Sequence, residues 1–313
     1  MSAPKTLDSI IGNARAVSAL KIAVDAAKIE DRLPGHILLF GPSGVGKTTL
    51  ANAVGQEFSG NFFRIHGPSI SKKNINDFIK SFLMMEDRDT LFIDEVHALP
   101  KEAMEGLLEA MEESQISLLN TGENGQSSAM TIKISNILII AATTRPNALL
   151  EPFKMRFGRE VQLELYTDEE LVKILSFEER PEKFAFTRND LLEIAKRARG
   201  KARNALRYTN VVCDHVAVSN ITPQEAIKLA FAELGIGEFG DTSEDRLYIK
   251  TLSNVLGGKP AGLNSIISAS GLTKDDVEST VEPFLIGLGA VYKTKAGRQL
   301  NANHPLVLET LGA

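Results

Sequence analysis

The chain has 313 residues, enough for two or three domains rather than one small core. Its 43% hydrophobic and 24% charged residues are the composition of a globular protein, and a net charge of −5 excludes a globally basic nucleic-acid binder while leaving room for a local patch. A single cysteine, Cys213, rules out an intramolecular disulfide and fits a reducing, cytoplasmic setting. Met1 to Lys5 are not followed by an apolar core, so no secretory signal is read there, and no run reaches the roughly 18 apolar residues of a membrane span. The five histidines lack metal-ligand spacing, and His97 alone sits beside candidate chemistry.

Leu7 to Asn13 leads into an amphipathic helix over 14–28, with Val17, Leu20 and Val24 on one side. Ile10 and Ile11, just before it, are candidates to flank a purine. The apolar run His36 to Phe40 then meets Gly41-Pro42-Ser43-Gly44-Val45-Gly46-Lys47-Thr48, and Thr49 to Val54 reads as a helix. Strand, glycine loop and helix in that order form a phosphate-binding P-loop. The glycines turn backbone N–H groups inward and the new helix aims its positive end at the same place. Gly41, Gly44, Val45, Gly46, Lys47, Thr48 and Thr49 are the expected nucleotide contacts. Lys47 suits the β- and γ-phosphates of ATP, and the Thr48 hydroxyl suits Mg²⁺.

Asn61 to Ile65 is a short strand. Leu91-Phe92-Ile93-Asp94-Glu95 is an apolar strand ending in two carboxylates. Asp94 is expected to hold Mg²⁺ opposite Thr48, and Glu95 to polarise the attacking water. Met104, Leu107, Leu108 and Met111 form a core-facing stripe on the helix opened by Pro100. Residues 115–119 and 130–135 alternate around the polar, glycine-bearing 120–128, a hairpin expected to touch a partner. Asn136 to Ala142 is apolar throughout, as a buried parallel strand is, and ends at Thr143-Thr144-Arg145. Thr144 is placed to sense a γ-phosphate. Arg156 and Arg159 close the segment, and an arginine there serves a neighbouring subunit's nucleotide.

These motifs, in this order and spacing, resemble the AAA+ ATPases. More narrowly, Leu7-Asp8 to Gly12, Asp94-Glu95-Val96-His97, Ala142-Thr143-Thr144-Arg145 and Leu165-Tyr166-Thr167 resemble the RuvB family, bacterial motors of Holliday-junction branch migration. The resemblance implies an α/β P-loop AAA+ core with a parallel sheet (1–163), an all-α lid (164–239) and a C-terminal winged-helix domain (240–313). It implies a hexameric ring acting on duplex or four-way-junction DNA in recombination and repair. It also implies that the 115–135 hairpin engages RuvA, that Tyr166 lies near the adenine, and that Arg203 touches the γ-phosphate in cis.

In the lid, helices are expected over 168–177, 188–198, 203–217 and 222–234, with Arg199 and Arg207 as surface charges. Gly235 to Asp241 reads as a glycine-rich hinge or linker. Three helices and a hairpin around Lys295-Ala296-Gly297 then give winged-helix order. Residues 241–313 hold eight carboxylates against seven Lys and Arg. DNA contact is therefore expected only locally, from Lys293, Lys295 and Arg298 to phosphates. Departures from the family lie at Pro42-Ser43, Lys201-Ala202 and the hairpin tip, Gly122 to Ser128. They bear on partner choice more than on hydrolysis, and fit a divergent or mobile-element relative. A clamp-loader-like switch and a nucleotide-gated binding module share the ATPase core. The terminal winged helix disfavours the first, and Glu95 with Arg156 disfavours the second.

Overall fold

The computed structural model describes residues 6–58, 60–121, 127–178 and 184–312. The chain forms two compact units, one of residues 1–174 with 201–203, the other of 175–200 with 204–313.

The first unit is built on five parallel strands: β1 (Ile37–Phe40), β2 (Phe62–His66), β3 (Thr90–Asp94), β6 (Leu138–Thr143) and β7 (Arg159–Gln162), in the order β2-β3-β6-β1-β7. Between β3 and β6 the chain leaves the sheet as an antiparallel hairpin, β4 (Gln115–Thr121) with β5 (Ser127–Lys133). Its strands run longer than the sequence pattern predicts: of the tip expected at 122–128, Ser127 and Ser128 belong to β5, and 122–126 lie outside the described residues. All six residues of β6 are buried, because both faces of a parallel sheet are covered. Successive residues therefore feed different cores. Ile37, Leu39, Ile140 and Ala142 pack with the helices Ala14–Ile29 and Lys47–Gly55. Leu38, Ile139 and Ala141 pack with Ile75–Ser81 and Lys101–Glu113. Met104, Leu108 and Met111 pack against this second core and Leu107 is fully buried in it. The sequence pattern does not predict β7. It has one buried residue, Val161, and is recruited by pairing alongside β1.

In the second unit, helices Arg188–Arg197, Ala202–Ser219 and Pro223–Leu234 carry a buried stripe that includes Ile194, Val212 and Phe231, with Tyr208 edge-on to Phe231 at 5.5 Å. Thr187 and Thr222 cap two of these helices through capping boxes. Residues 243–312 follow in winged-helix order. Ser243–Lys250, Leu263–Ser270 and a helical run over 274–287 surround Tyr248, Ile266, Val281 and Leu285, and β8 (Val291–Thr294) pairs with β9 (Gly297–Leu300).

Two expectations change here. Arg199 is not a surface charge: its side chain is 9% exposed and paired with the fully buried Asp245. The glycine-rich 235–241 is not a free hinge, since Gly237 N donates to Asp241 O (2.9 Å) and Gly240 N to Gly237 O (3.0 Å). Arg246 fastens it further, to the Asp241 carboxylate and to Gly235 O.

Glu282 is another buried charge of this unit, 1% exposed. It accepts from Tyr248 Oη (3.0 Å) and Arg298 Nε (2.8 Å), with Lys293 Nζ at 3.0 Å. Burial works to raise its pKa, but the donors from Arg298, Lys293 and Tyr248 outweigh burial and hold it below the ordinary carboxylate range. Its stabilising contribution is therefore full above about pH 4.3, the unfolded value, and is lost as pH falls through the lower folded value. Glu282→Gln should cost the winged helix about 3 kcal/mol at neutral pH. Acid unfolding followed by circular dichroism should lose that increment in the native chain and show no such loss in the variant. Superimposable acid profiles would contradict this role.

Candidate functional site

The loop after β1 is shaped by positive φ at Gly41 (145°), Gly44 (81°) and Gly46 (93°). Each glycine also makes a close approach. A Cβ would stand 2.3 Å from Leu163 O at Gly41, 3.2 Å from Arg203 Cβ at Gly44 and 2.9 Å from Tyr166 Oη at Gly46. The loop opens directly into helix Lys47–Gly55. Backbone N–H groups and the helix's positive end thus converge on one concavity, an anion site by construction.

Lys47 is only 7% exposed, and its Nζ donates to Gly41 O and Pro42 O, both at 2.8 Å. Burial lowers its pKa, and the nearby carboxylates Glu95 and Asp94 oppose that. Val45 is fully buried and anchors the loop, while Thr48 and Thr49 are half-buried on the first turn. Asp94 ends β3 and pairs with Arg64 Nη2 at 2.8 Å. Glu95 follows in a left-handed conformation, φ 53°, which turns its carboxylate towards the end of β6. There Glu95 Oε2 accepts from Thr144 N (3.0 Å) and Thr144 Oγ1 (2.9 Å). His97 Nδ1 lies 3.2 Å from the same oxygen and 2.8 Å from Thr143 Oγ1. Burial pushes the His97 pKa down against the pull of Glu95.

Arg203 closes the other side, with Nη1 3.3 Å from Ser43 Oγ and its N–H on Gly44 O at 3.3 Å. Tyr166 donates its hydroxyl to Val45 O at 2.9 Å and packs with Ile10 on the first core. A Cβ on Gly12 would stand 2.7 Å from its ring, so Tyr166 bridges the Ile10–Gly12 segment and the loop. Burial raises its pKa. Ile11 is half-buried in the same segment. Lys47, Asp94, Glu95, Thr144, Arg203 and Tyr166 thus gather at or beside the carboxyl ends of the strands, where open α/β sheets hold ligands. Among the described residues no three His, Cys, Asp or Glu side chains cluster as a metal cage. A Thr hydroxyl and one Asp beside a phosphate cradle instead suit Mg²⁺ carried in on a nucleotide.

Arg156 stands elsewhere. It lines a cavity of about 380 Å³ with Arg32, Leu33, His36, Asn136 and Gly158, at the amino ends of β1 and β6, and pairs with Glu112. In the second unit Lys293 and Arg298 are both engaged by Glu282, while Lys295 is exposed at the turn between β8 and β9. Two participants escaped the sequence reading. The Asn13 side chain clasps Glu164 through both backbone N (2.7 Å) and O (3.3 Å). Arg64, on β2, faces Asp94 from the neighbouring strand, and only the strand register reveals it.

Residues 2–163 match the family model described as the RuvB P-loop domain of Holliday junction DNA helicase, and residues 238–306 that of the RuvB C-terminal winged helix domain. Among solved structures the chain is similar to Thermotoga maritima RuvB, described as a Holliday junction branch migration motor, at 30% identity and a TM-score of 0.79. A point mutant of the same protein matches at 31% identity with a TM-score of 0.82. In both comparisons 99% of this chain and 98% of the other are covered.

The Gly41 contact gives a direct test of the cradle. Gly41→Ala drives a methyl group against Leu163 O, backbone that has no rotamer to yield. Binding of a fluorescent ATP analogue should weaken by about tenfold or more, equivalent to about 1.4 kcal/mol. Unchanged affinity in a folded variant would mean that the loop is not the nucleotide site.

Proposed function

The chain belongs to the RuvB family, and on that premise we propose that it is an ATP-driven DNA motor of the branch-migration type, hydrolysing ATP in a ring of its own copies and drawing duplex DNA through it. The observation that carries this reading is the division of the catalytic groups between opposite edges of one sheet. Lys47, Glu95 and Thr144 stand at the carboxyl ends of the strands, and Arg156 at the amino ends of β1 and β6. The four residues of β1 alone span about 13 Å. Arg156 therefore has no route to its own nucleotide and serves that of a neighbour, so each site is completed by two subunits.

Within a subunit we assign the roles as follows, with the geometry in support. Lys47 and the loop amides hold the phosphates. Thr48 and Asp94 would hold Mg²⁺, which would supply positive charge to offset that of the phosphates. Tyr166, Ile10 and Ile11 border the adenine. Arg203, already on Ser43, reaches the γ-phosphate in cis. Glu95 is the general base, and its link to Thr144 supplies a control. The Thr144 hydroxyl has one proton to donate. When that hydrogen bond is donated to a γ-phosphate oxygen instead, Glu95 Oε2 keeps Thr144 N but loses the hydroxyl donor, and is freer to accept from the attacking water. Base and sensor thus respond to the same atom.

The three-domain division at 163/164 and 239/240 fits this reading: core, lid and winged helix. Lys295 is the wing's free contact for DNA phosphate, and Lys293 and Arg298 reach DNA only at the expense of Glu282. The β4–β5 hairpin, with Met130 58% exposed, is the docking element for a RuvA-type junction-binding protein. No helix among the described residues is long and apolar enough to cross a membrane. We place the protein in the cytoplasm, with its DNA.

Glu95→Gln should bind ATP normally while phosphate release falls about 10²–10⁴-fold. Turnover near wild type would refute the base assignment. Arg156→Ala should be silent alone and regain activity when mixed with Lys47→Ala subunits, because mixed interfaces join an intact loop to an intact arginine. No recovery, or a fully active monomer, would refute the shared site. A labelled four-way junction with ATP, with and without a RuvA-type protein, tests the motor reading directly; failure to move the junction in either condition would reject it.

A further inference from the structure

The chain turns between helices Arg188–Arg197 and Ala202–Ser219 on two consecutive left-handed residues, Arg199 (φ 55°) and Gly200 (φ 67°). Gly200 adopts this freely, whereas Arg199 does so against its Cβ. Its side chain holds it there. Nε donates to Gly240 O at 2.7 Å, Nη2 pairs with the Asp245 carboxylate, and the guanidinium lies 3.5 Å from the Phe284 ring centroid. Those partners belong to three separate pieces: the 235–241 segment, helix Ser243–Lys250 and helix Glu282–Gly287. One side chain thus ties the lid turn to the entrance, first helix and third helix of the winged-helix domain. A second arginine answers from the other side. Arg246 pairs with Asp241 and donates to Gly235 O (2.6 Å), the C-cap of lid helix Pro223–Leu234. The close approach of Gly240, where a Cβ would stand 2.7 Å from Arg197 O, leaves the segment no slack.

The joint is also hard to open part-way. Asp241 and Asp245 are buried, and Oδ1 of each has no hydrogen-bond partner among the described residues. Asp241 Oδ2 is held by Arg246, and Asp245 Oδ2 by Arg199 together with N and Oγ1 of Thr242 at the helix cap; a variant lacking the arginine leaves a buried carboxylate without its counter-charge. Water must then enter and the contacts around it part. Four residues beyond Arg199, Arg203 contacts Ser43 and Gly44 of the phosphate loop.

We propose that Arg199 is a positioning residue that fuses the helical lid and the winged helix into one rigid lever and joins that lever to the turn carrying Arg203. A displacement of Arg203 at the nucleotide then reaches the wing without loss at the 235–241 segment. Only the transmission half rests on the motor reading; the rigid joint stands apart from it.

The test places spin labels at Lys228→Cys in the lid and Ser268→Cys in the winged helix, with Cys213→Ser, and measures their separation by pulsed electron paramagnetic resonance. With Arg199 intact, one narrow distance is expected, unchanged by ADP or by a slowly hydrolysed ATP analogue with Mg²⁺. Arg199→Ala should broaden it about twofold or more, as an unlocked joint samples several arrangements. A distribution as narrow as that of the intact chain, or an intact chain whose distance shifts with nucleotide, overturns the rigid joint. If Arg199→Ala does not fold, Arg199→Lys is read by the same criterion: it keeps the charge for Asp245 but loses the fork and the flat face on Phe284. A second arm measures junction movement per ATP hydrolysed. That ratio should fall about tenfold in the variant, within the usual range of coupling energies, while DNA-free hydrolysis is retained. An unchanged ratio overturns transmission through this joint. If the intact chain moves no junction, the motor reading fails and the distance arm alone decides the joint.

Discussion

Lys47 is a cation held 7% exposed at the head of a helix, and a buried ammonium needs oxygen atoms around it. The architecture of the first unit follows from supplying them. Gly41 and Pro42 bring carbonyl oxygens to 2.8 Å because the loop bends through φ values that only glycine tolerates well. The parallel sheet then sets Asp94 and Glu95 close enough to oppose the desolvation of the lysine. A cation this well provided for is a phosphate ligand in reserve, since phosphate oxygens replace carbonyl oxygens without a new desolvation cost.

The same sheet imposes the split on which the proposed ring rests. Its strands are parallel, so every carboxyl end lies along one edge and every amino end along the other. Residues just after β1, β3 and β6 must meet, and they do. A residue just before β7, such as Arg156, must stand at the far edge. No side-chain length bridges that separation. On the proposed reading, the call for a neighbouring subunit is a consequence of strand direction rather than of a special interface.

Most of the site was legible because its members are tied to local pattern. Glycine spacing gave the loop, an apolar strand ending in two acids gave Asp94 and Glu95, and the buried run before it gave Thr144. What stayed hidden depends on partners remote in sequence. Arg64 meets Asp94 30 residues away, and Asn13 meets Glu164 151 residues away. Nothing local in the sequence marks Glu282 as buried, so Lys293 and Arg298 read as wing charges for DNA although both pair with it. The glycines of 235–241 suggested a hinge, yet Gly240 is there for close packing on Arg197. Strand β7 carries a single buried residue and has no periodicity to detect.

One distinction organises the charges of this acidic chain. Four arginines, Arg64, Arg156, Arg199 and Arg298, have a carboxylate partner, but at different depths. The side chains of Arg64 and Arg156 are 53% and 49% exposed on Asp94 and Glu112. Exposed pairs of that kind contribute about 0–1 kcal/mol and exchange partners readily. The side chains of Arg199 and Arg298 are 9% and 19% exposed, on carboxylates that are 0% and 1% exposed. Breaking a buried pair on one side costs about 3–5 kcal/mol. The shallow pairs lie where Mg²⁺ or a neighbour's phosphates would compete for one partner. The deep pairs lie where lid and winged helix must hold their shape. On the motor reading, burial would separate the cations that change partners during a cycle from those that carry the resulting force, a division that net charge and residue type alone do not reveal.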